Sequence, residues 1–309
     1  MYKKIILTIQ SFLIVVFLIA CSTSSPSIDY RTGRQGLELS ITGPNNIIIY
    51  TGSELPLETY DIKIENKGAT DIKNDEFFMR VTPTGNFLRP TENTVLIVNS
   101  LNEITGGRIT EIAGKSLYSS KGDEIYHSVI FRPFPQDIFQ TTLNVDVCYT
   151  YKTILSDSIC IETIRNQENG CKTNRYNYNR GQGAPIVIES VELKYLPSTE
   201  NRVKPRLEID IVNADGGIVT LPENFKEGCL AQNQINQVKI DSVKLGEQEL
   251  LCDVPENILQ LDQRRKIICN LESELEEDPQ GYYDTLLYIE LSYGFHATRN
   301  MRVSITRQN

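Results

Sequence analysis

Asp61-Ile62-Lys63-Ile64-Glu65-Asn66-Lys67-Gly68 is the stretch whose pattern decides the fold class. Ile62 and Ile64 alternate with charged Asp61, Lys63 and Glu65, the period of two expected of a strand with one buried and one wet face. Asn66 and Gly68 then supply turn chemistry. The same plan returns in Glu208-Ile209-Asp210-Ile211-Val212-Asn213-Ala214-Asp215-Gly216. Leu37 to Ile41 and Val238 to Asp241 alternate in the same way. Clusters of Asn, Gly, Pro and Asp break these runs at short intervals, as in a sandwich of many short antiparallel strands. Helical signals are scarce; Leu271 to Asp278 predicts one or two acidic turns at most.

A second motif repeats further along. Leu143-Asn144-Val145-Asp146-Val147-Cys148-Tyr149-Thr150-Tyr151 matches Leu287-Tyr288-Ile289-Glu290-Leu291-Ser292-Tyr293-Gly294-Phe295. Asn66 and Tyr149 lie 83 positions apart, and Asn213 and Tyr293 lie 80 apart. Two matches in one order at nearly equal spacing predict two like all-β domains, over residues 36–165 and 185–309. Each is expected to close with one more strand, Ser158 to Thr163 and Met301 to Thr306. Residues 166–184 between them are polar and Gly-rich without an apolar period, and predict an interdomain linker.

The N-terminus is an export signal in composition. Met1-Tyr2-Lys3-Lys4 is basic, and Ile5 to Ala20 is apolar apart from Thr8, Gln10 and Ser11. Leu18-Ile19-Ala20-Cys21 puts a small residue before a cysteine and resembles the lipobox of prokaryotic lipoproteins. That resemblance implies a signal peptide over 1–20, lipidation of Cys21 and a flexible tether over 21–35. An uncleaved anchor helix and a cleaved soluble form are the alternatives, although as a helix residues 5–20 would reach only about 24 Å against a hydrocarbon core of about 30 Å. All three place the rest of the chain outside the cytoplasm, and the expectation is a chain anchored at the outer face of the cell membrane or in the envelope.

The formal charge is −9, and losing Lys3 and Lys4 with the signal leaves 29 basic against 40 acidic side chains. That balance argues against nucleic acid as a partner. Six cysteines remain beyond Cys21, an even number that in an oxidising compartment predicts three disulfides among fifteen connectivities. Cys148 and Cys160 flank a short polar break near Ser156, as neighbouring hairpin strands would, and Cys252 and Cys269 flank another strand-bounded segment. Cys171 and Cys229 then pair by elimination. Close Cys-x2-4-Cys pairs are absent, so no metal site is expected.

No catalytic residue emerges. The sequence has no Gly-x-Ser-x-Gly elbow, no His-Glu-x-x-His and no phosphate loop, and only two histidines. His127 reads as a strand residue, and His296 as a turn residue near Ala297 to Arg299. Glu272 to Asp278 lacks the glycine bend of a calcium loop and reads as a solvated loop. Tyr149, Tyr151, Tyr293 and Phe295 alternate as core-face residues. Arg175, Tyr176, Tyr178 and Arg180 form the best candidate partner contact, since Tyr and Arg concentrate at interface hot spots; the competing reading packs the tyrosines between the two domains.

With the tandem repeats and Ile64-Glu65-Asn66-Lys67-Gly68-Ala69-Thr70-Asp71-Ile72 in view, the chain resembles tandem immunoglobulin-like domains of prokaryotic surface proteins, in particular the CARDB-like modules of archaeal envelopes. The resemblance covers about residues 36–165 and 184–306 and departs from a minimal module by an insertion near 83–122. It implies adhesion, scaffolding or spacing, and no catalytic residues to carry over. The expectation is therefore a membrane-anchored binding or scaffold lipoprotein, not an enzyme and without a cofactor, facing a protein or envelope-component partner. A structural subunit of an envelope complex and an exported hydrolase or carbohydrate-active domain are the alternatives.

Overall fold

A computed structural model describes residues 31–308 except 93, 99–102, 107, 113–114, 120–121, 135–137, 165–169, 199–201, 231–234, 263–264 and 276–278. The signal segment, Cys21 and most of the tether lie outside the described residues. The first half contributes β1 (Leu37–Thr42), β2 (Asn46–Tyr50), β3 (Glu58–Asn66), β4 (Phe77–Pro83), β5 (Leu88–Pro90), β6 (Ile97–Val98), β7 (Arg108–Ile112), β8 (Lys115–Ser119), β9 (Glu124–Pro133) and β10 (Ile138–Glu162). The second contributes β11 (Arg175–Asn177), β12 (Ile186–Pro197), β13 (Val203–Asn213), β14 (Ile218–Thr220), β15 (Gln237–Leu245), β16 (Gln248–Glu249), β17 (Leu251–Cys252), β18 (Ile258–Gln260), β19 (Lys266–Asn270) and β20 (Tyr282–Gln308). A six-residue helix, α1 (Phe225–Leu230), is the one α-helix among the described residues.

The chain is all-β, built as two β-sandwiches. One outer sheet runs β1-β3-β9-β5 and the other β11-β12-β13-β19-β17. Both face a single central sheet, β16-β15-β20-β10-β4-β6, to which β2 and β14 add on β20 and β18 adds on β15. The strands β7 and β8 form a separate ribbon inside the expected insertion. Alternation places the core: Ile62 and Ile64 of β3 are buried between sheets, as are Ile209 and Ile211 of β13. All join one continuous apolar cluster with Val145, Val147, Ile289 and Leu291 of the central sheet.

Two long strands hold the sandwiches together. Strands β10 and β20 have 25 and 27 residues, and they pair antiparallel from Ile138 opposite Thr306 to Glu162 opposite Tyr282. The closing strands expected at Ser158 to Thr163 and Met301 to Thr306 are thus the far ends of these two strands. The polar break near Ser156 is no turn: Ser156 and Ser158 are the wet face of β10, with Leu155 and Ile159 on the buried face. Segments 36–165 and 185–309 consequently exchange their ends, since the last turn-free stretch of each completes the other's half of the central sheet.

The pairing is self-complementary. Tyr149 lies opposite Phe295, Tyr151 opposite Tyr293, and Thr150 opposite Gly294. In the repeated motif Tyr149 corresponds to Tyr293 and Tyr151 to Phe295, so the two copies meet about a local two-fold, as identical surfaces do in a symmetric dimer. The four rings are buried and pack at 5.7–6.5 Å between centroids. The Tyr149 hydroxyl accepts from Leu37 N–H at 3.0 Å, and the Tyr293 hydroxyl from Ile186 N–H at 3.3 Å. Leu37 and Ile186 hold matching places, opposite Asn66 and Asn213 respectively. Both asparagines lock their turns alike. Asn66 accepts from Gly68 N–H and donates to the Thr70 carbonyl; Asn213 accepts from Gly216 N–H and donates to the Gly217 carbonyl.

Within the predicted linker, residues 166–169 lie outside the described residues and Arg175–Asn177 form β11 on the edge of an outer sheet. Residues 181–184 are buried at the waist of the molecule. Gly183 adopts φ +66°, a conformation glycine takes without cost, and its carbonyl accepts from Ala69 N–H at 2.8 Å. A Cβ at Gly68 would collide with the Tyr151 hydroxyl and the Gly183 carbonyl, so close backbone contact demands glycine there.

Three disulfides suggest an oxidising, exported environment. Cys252–Cys269 forms as expected. The other two pairings differ from expectation: Cys148 joins Cys229, and Cys160 joins Cys171. Cys148 and Cys160 sit on one continuous strand, where twelve residues span about 40 Å, far beyond the reach of a disulfide.

Candidate functional site

The outer face of the central sheet gathers the chemistry that strand alternation alone does not announce. Register sets Phe78 of β4 opposite Cys148 of β10, and Cys148 opposite His296 of β20. The next row on that face is Arg80, Asp146 and Thr298. Helix α1 lies over these two rows, with Phe225 and Cys229 packed on Phe78 and Cys148. The Cys148–Cys229 disulfide ties the helix to the sheet.

Asp146 is the hub of the polar row. It accepts from Arg80 Nη2 at 3.1 Å, from Thr298 Oγ1 at 3.0 Å, and lies 3.1 Å from His296 Nε2. Arg80 Nη2 also donates to the Cys229 carbonyl at 3.0 Å, so the cation reaches the end of the helix. Burial alone would push the Asp146 carboxyl up; the bonds from His296, Arg80 and Thr298 outweigh it and hold the group below the usual carboxylate range. An ionised Asp146 accepts, so Nε2 of His296 carries the proton. The ring's Nδ1 is buried and has no hydrogen-bond partner among the described residues.

This is not the geometry of a nucleophilic triad. A triad needs the carboxylate on one imidazole nitrogen and the hydroxyl on the other. Here Asp146 and Thr298 both meet Nε2, so the ring cannot relay a proton between them. His296 itself is a buried residue inside β20, not in a turn; the segment Ala297 to Arg299 read as a turn continues the strand, with Thr298 and Arg299 facing solvent. His127 is the β9 strand residue expected, with Nε2 2.8 Å from the Val95 carbonyl.

Two open recesses flank the site. One, of about 550 Å³, has His296, Thr298 and Arg299 on one wall and Glu38 and Asp215 on another. Burial, then Glu38, raises the Asp215 carboxyl above its ordinary value. The recess lies where β20 lacks a strand neighbour among the described residues, between β14 at Gly294–His296 and β2 at Ser304–Gln308. The other recess, of about 750 Å³, is lined by Lys73, Lys152, Lys239, Asp71, Asp241 and Glu290 among others. Its charges pair locally, Lys152 with Glu290 at 2.7 Å and Lys239 with Asp241 at 3.9 Å.

The segment singled out for partner contact splits in two. Arg175 and Arg180 are exposed, whereas Tyr176 and Tyr178 are half-buried. The Tyr176 hydroxyl accepts from Cys160 N–H at 2.9 Å, and Tyr195 accepts from Glu162 N–H at 2.7 Å. Asp157 Oδ1 accepts from Ser158 N–H. These three N–H groups project from the side of β10 away from β20, so side chains cap a strand edge that would otherwise be open. Tyr178 is held with its hydroxyl pushed up by burial and by Asp157. Arg175 donates to Ser190 Oγ at 3.2 Å and lies within 4 Å of Glu192 and Asp210. In the acidic run, Glu274 takes the Ser198 hydroxyl and Arg202, while residues 276–278 lie outside the described residues.

No protein-family model matches the chain, and no curated protein matches it. Among solved structures, it is similar to an ASH/PapD-like domain of human CEP192 (TM-score 0.18, 13% identity, 40% of this chain and 77% of that one). It is also similar to a structure titled BspA_C_mut (TM-score 0.23, 7% identity, 89% and 99%). A third is the secreted serine protease VesC from Vibrio cholerae (TM-score 0.17, 9% identity, 86% and 47%), of whose length the chain covers about half.

Proposed function

We propose that the chain is an exported, envelope-anchored binding or spacing protein that works without catalysis, in the manner of CARDB-like surface modules. The observation that carries this reading is the shared ladder of β10 and β20, which fixes the two sandwiches in one relative position. A freely jointed pair would suit a flexible linker; a fused pair suits a body that presents two surfaces at a set distance. The apolar run before Cys21 supports a lipid anchor, and no helix among the described residues is long and apolar enough to cross a membrane. Exposed Arg175 and Arg180 offer charged contacts beside the capped edge of β10.

Fractionation tests the anchor. Cys21→Ala should move the protein from membranes to the soluble fraction; retention would count against lipidation. A photo-crosslinker placed at position 175 or 180 in native membranes should yield a discrete adduct, lost when the other arginine becomes Glu. Absence of any adduct would remove this surface from the proposal.

One observation favours a second reading as an exported hydrolase. Glu38 and Asp215 share the recess beside His296, and Asp215 is shifted up; raised carboxyls serve as general acids. Asp215→Asn would abolish hydrolysis of chromogenic glycoside or ester substrates under this reading and change nothing under the first.

A further inference from the structure

We infer that the Cys148–Cys229 disulfide is the oxidised form of a soft-metal site, completed by His296. The two sulfurs and a ring nitrogen of His296 lie within 4.8 Å of one another. His296 is 8% exposed, and Cys148 and Cys229 are 0% and 4% exposed. The ring is already posed as a ligand. Its Nε2–H is held by Asp146, itself fixed by Arg80 and Thr298, the carboxylate–histidine arrangement that orients metal-binding imidazoles and raises their basicity. That leaves Nδ1 with a free lone pair, buried and unpartnered among the described residues. A buried unsatisfied nitrogen is unfavourable, and a structural histidine would avoid it by turning toward a donor. With a ring nitrogen of His296 grouped with both sulfurs, that lone pair is available to a metal.

In the oxidised chain the sulfurs are bonded to each other and provide no thiolate. A dithiol reductant transfers two electrons and two protons to the bridge, giving Cys148–SH and Cys229–SH and leaving the reductant as its own disulfide. A divalent ion such as Zn²⁺ then displaces both thiol protons, forming two metal–sulfur bonds and one bond to His296. This is a Cys2His set, and three protein ligands leave a fourth tetrahedral position for water. His296 also lines the recess of about 550 Å³. Neither of the other disulfides has a histidine or carboxylate grouped with it in this way among the described residues.

The test uses the described chain with its tether, titrated with Co²⁺ as a spectroscopic stand-in for Zn²⁺, before and after dithiol reduction. The oxidised protein should bind none. The reduced protein should take up one ion per chain, with sulfur-to-cobalt charge-transfer and tetrahedral ligand-field bands. The variant Cys160→Ser/Cys171→Ser should bind as the parent does. Cys148→Ser/Cys229→Ser should lose the signal, and His296→Gln should weaken binding at least tenfold. Circular dichroism on each variant separates loss of ligand from loss of fold. If His296→Gln unfolds, Asp146→Asn serves in its place and should weaken binding while leaving both thiolate bands. Equal uptake by oxidised and reduced protein, or full binding by the reduced Cys148→Ser/Cys229→Ser variant, would overturn the site.

Discussion

The hydroxyl of Tyr149 receives the backbone N–H of Leu37 at 3.0 Å, across 112 residues and at the point where the first outer sheet meets the central one. Tyr293 repeats the bond with Ile186. Each hydroxyl satisfies the first N–H of an outer-sheet edge region that no strand could reach. Tyr149→Phe keeps the ring and strands that N–H, at a cost of about 1–3 kcal/mol. Tyr293→Phe should cost a similar amount, since Ile186 N–H loses its acceptor while the Thr153 hydroxyl keeps the Ile186 carbonyl. Urea denaturation midpoints at constant m-value will measure both, and a neutral Tyr149→Phe would show that water replaces the bond.

Removal of the three disulfides one at a time should rank by enclosed loop. The chain-entropy model gives roughly 4.5 kcal/mol for the 81-residue separation of Cys148–Cys229 and roughly 3 kcal/mol for the shorter two. Thermal unfolding of paired Cys→Ser variants under oxidising conditions will test the order. A larger loss for Cys160–Cys171 would mean that capping of the β10 edge, not loop closure, dominates.

Asp146 ties stability to acid. Its carboxyl is held below its unfolded value, so the stabilisation is fully present above about pH 4 and is lost as pH falls through the lower folded value. Asp146→Asn should therefore be clearly less stable than the parent at pH 7, and the gap should narrow as the pH falls below the ordinary carboxylate range. A gap of constant size across that range would mean that the group titrates normally when folded.

The capped edge of β10 yields a local prediction. Tyr176→Phe with Tyr195→Phe removes the acceptors for the Cys160 and Glu162 amides. Those two amides should exchange with deuterium about fivefold to tenfold faster, the equivalent of roughly 1 kcal/mol, while Val145 and Val147 keep their protection. The same variant should associate more readily, because exposed strand edges pair with other chains; light scattering against concentration will report it.

Much of the architecture was legible where a strand has one dry and one wet face. Leu37–Thr42, Glu58–Asn66 and Val203–Asn213 alternate along their length, and the structure places strands there. The repeat of Asn66 with Tyr149 and Asn213 with Tyr293 was equally visible, and these residues turn out to hold matching bonds. What stayed hidden is what periodicity does not encode. Ser156 and Ser158 interrupt an apolar run in the same way whether the chain turns or its wet side simply meets solvent. The partner of Cys148 is 81 residues away on a helix of only six residues, too short to leave a periodic trace. The cluster around Asp146 is drawn from three strands and is assembled by register. Its one early signal was the spacing of His296 after the repeated motif, which places it opposite Cys148 once the two copies are paired.

The crossing of β10 and β20 also determines how the molecule carries load. The two strands run in opposite directions through both sandwiches, so a pull between opposite ends of the central sheet acts in shear along the whole ladder. Cross-strand bonds then share the tension together instead of opening one after another, as they would if peeled. A body joined in this way passes a tug from one tip to the other with little stretch, and whatever grips the distal tip moves with whatever grips the proximal one.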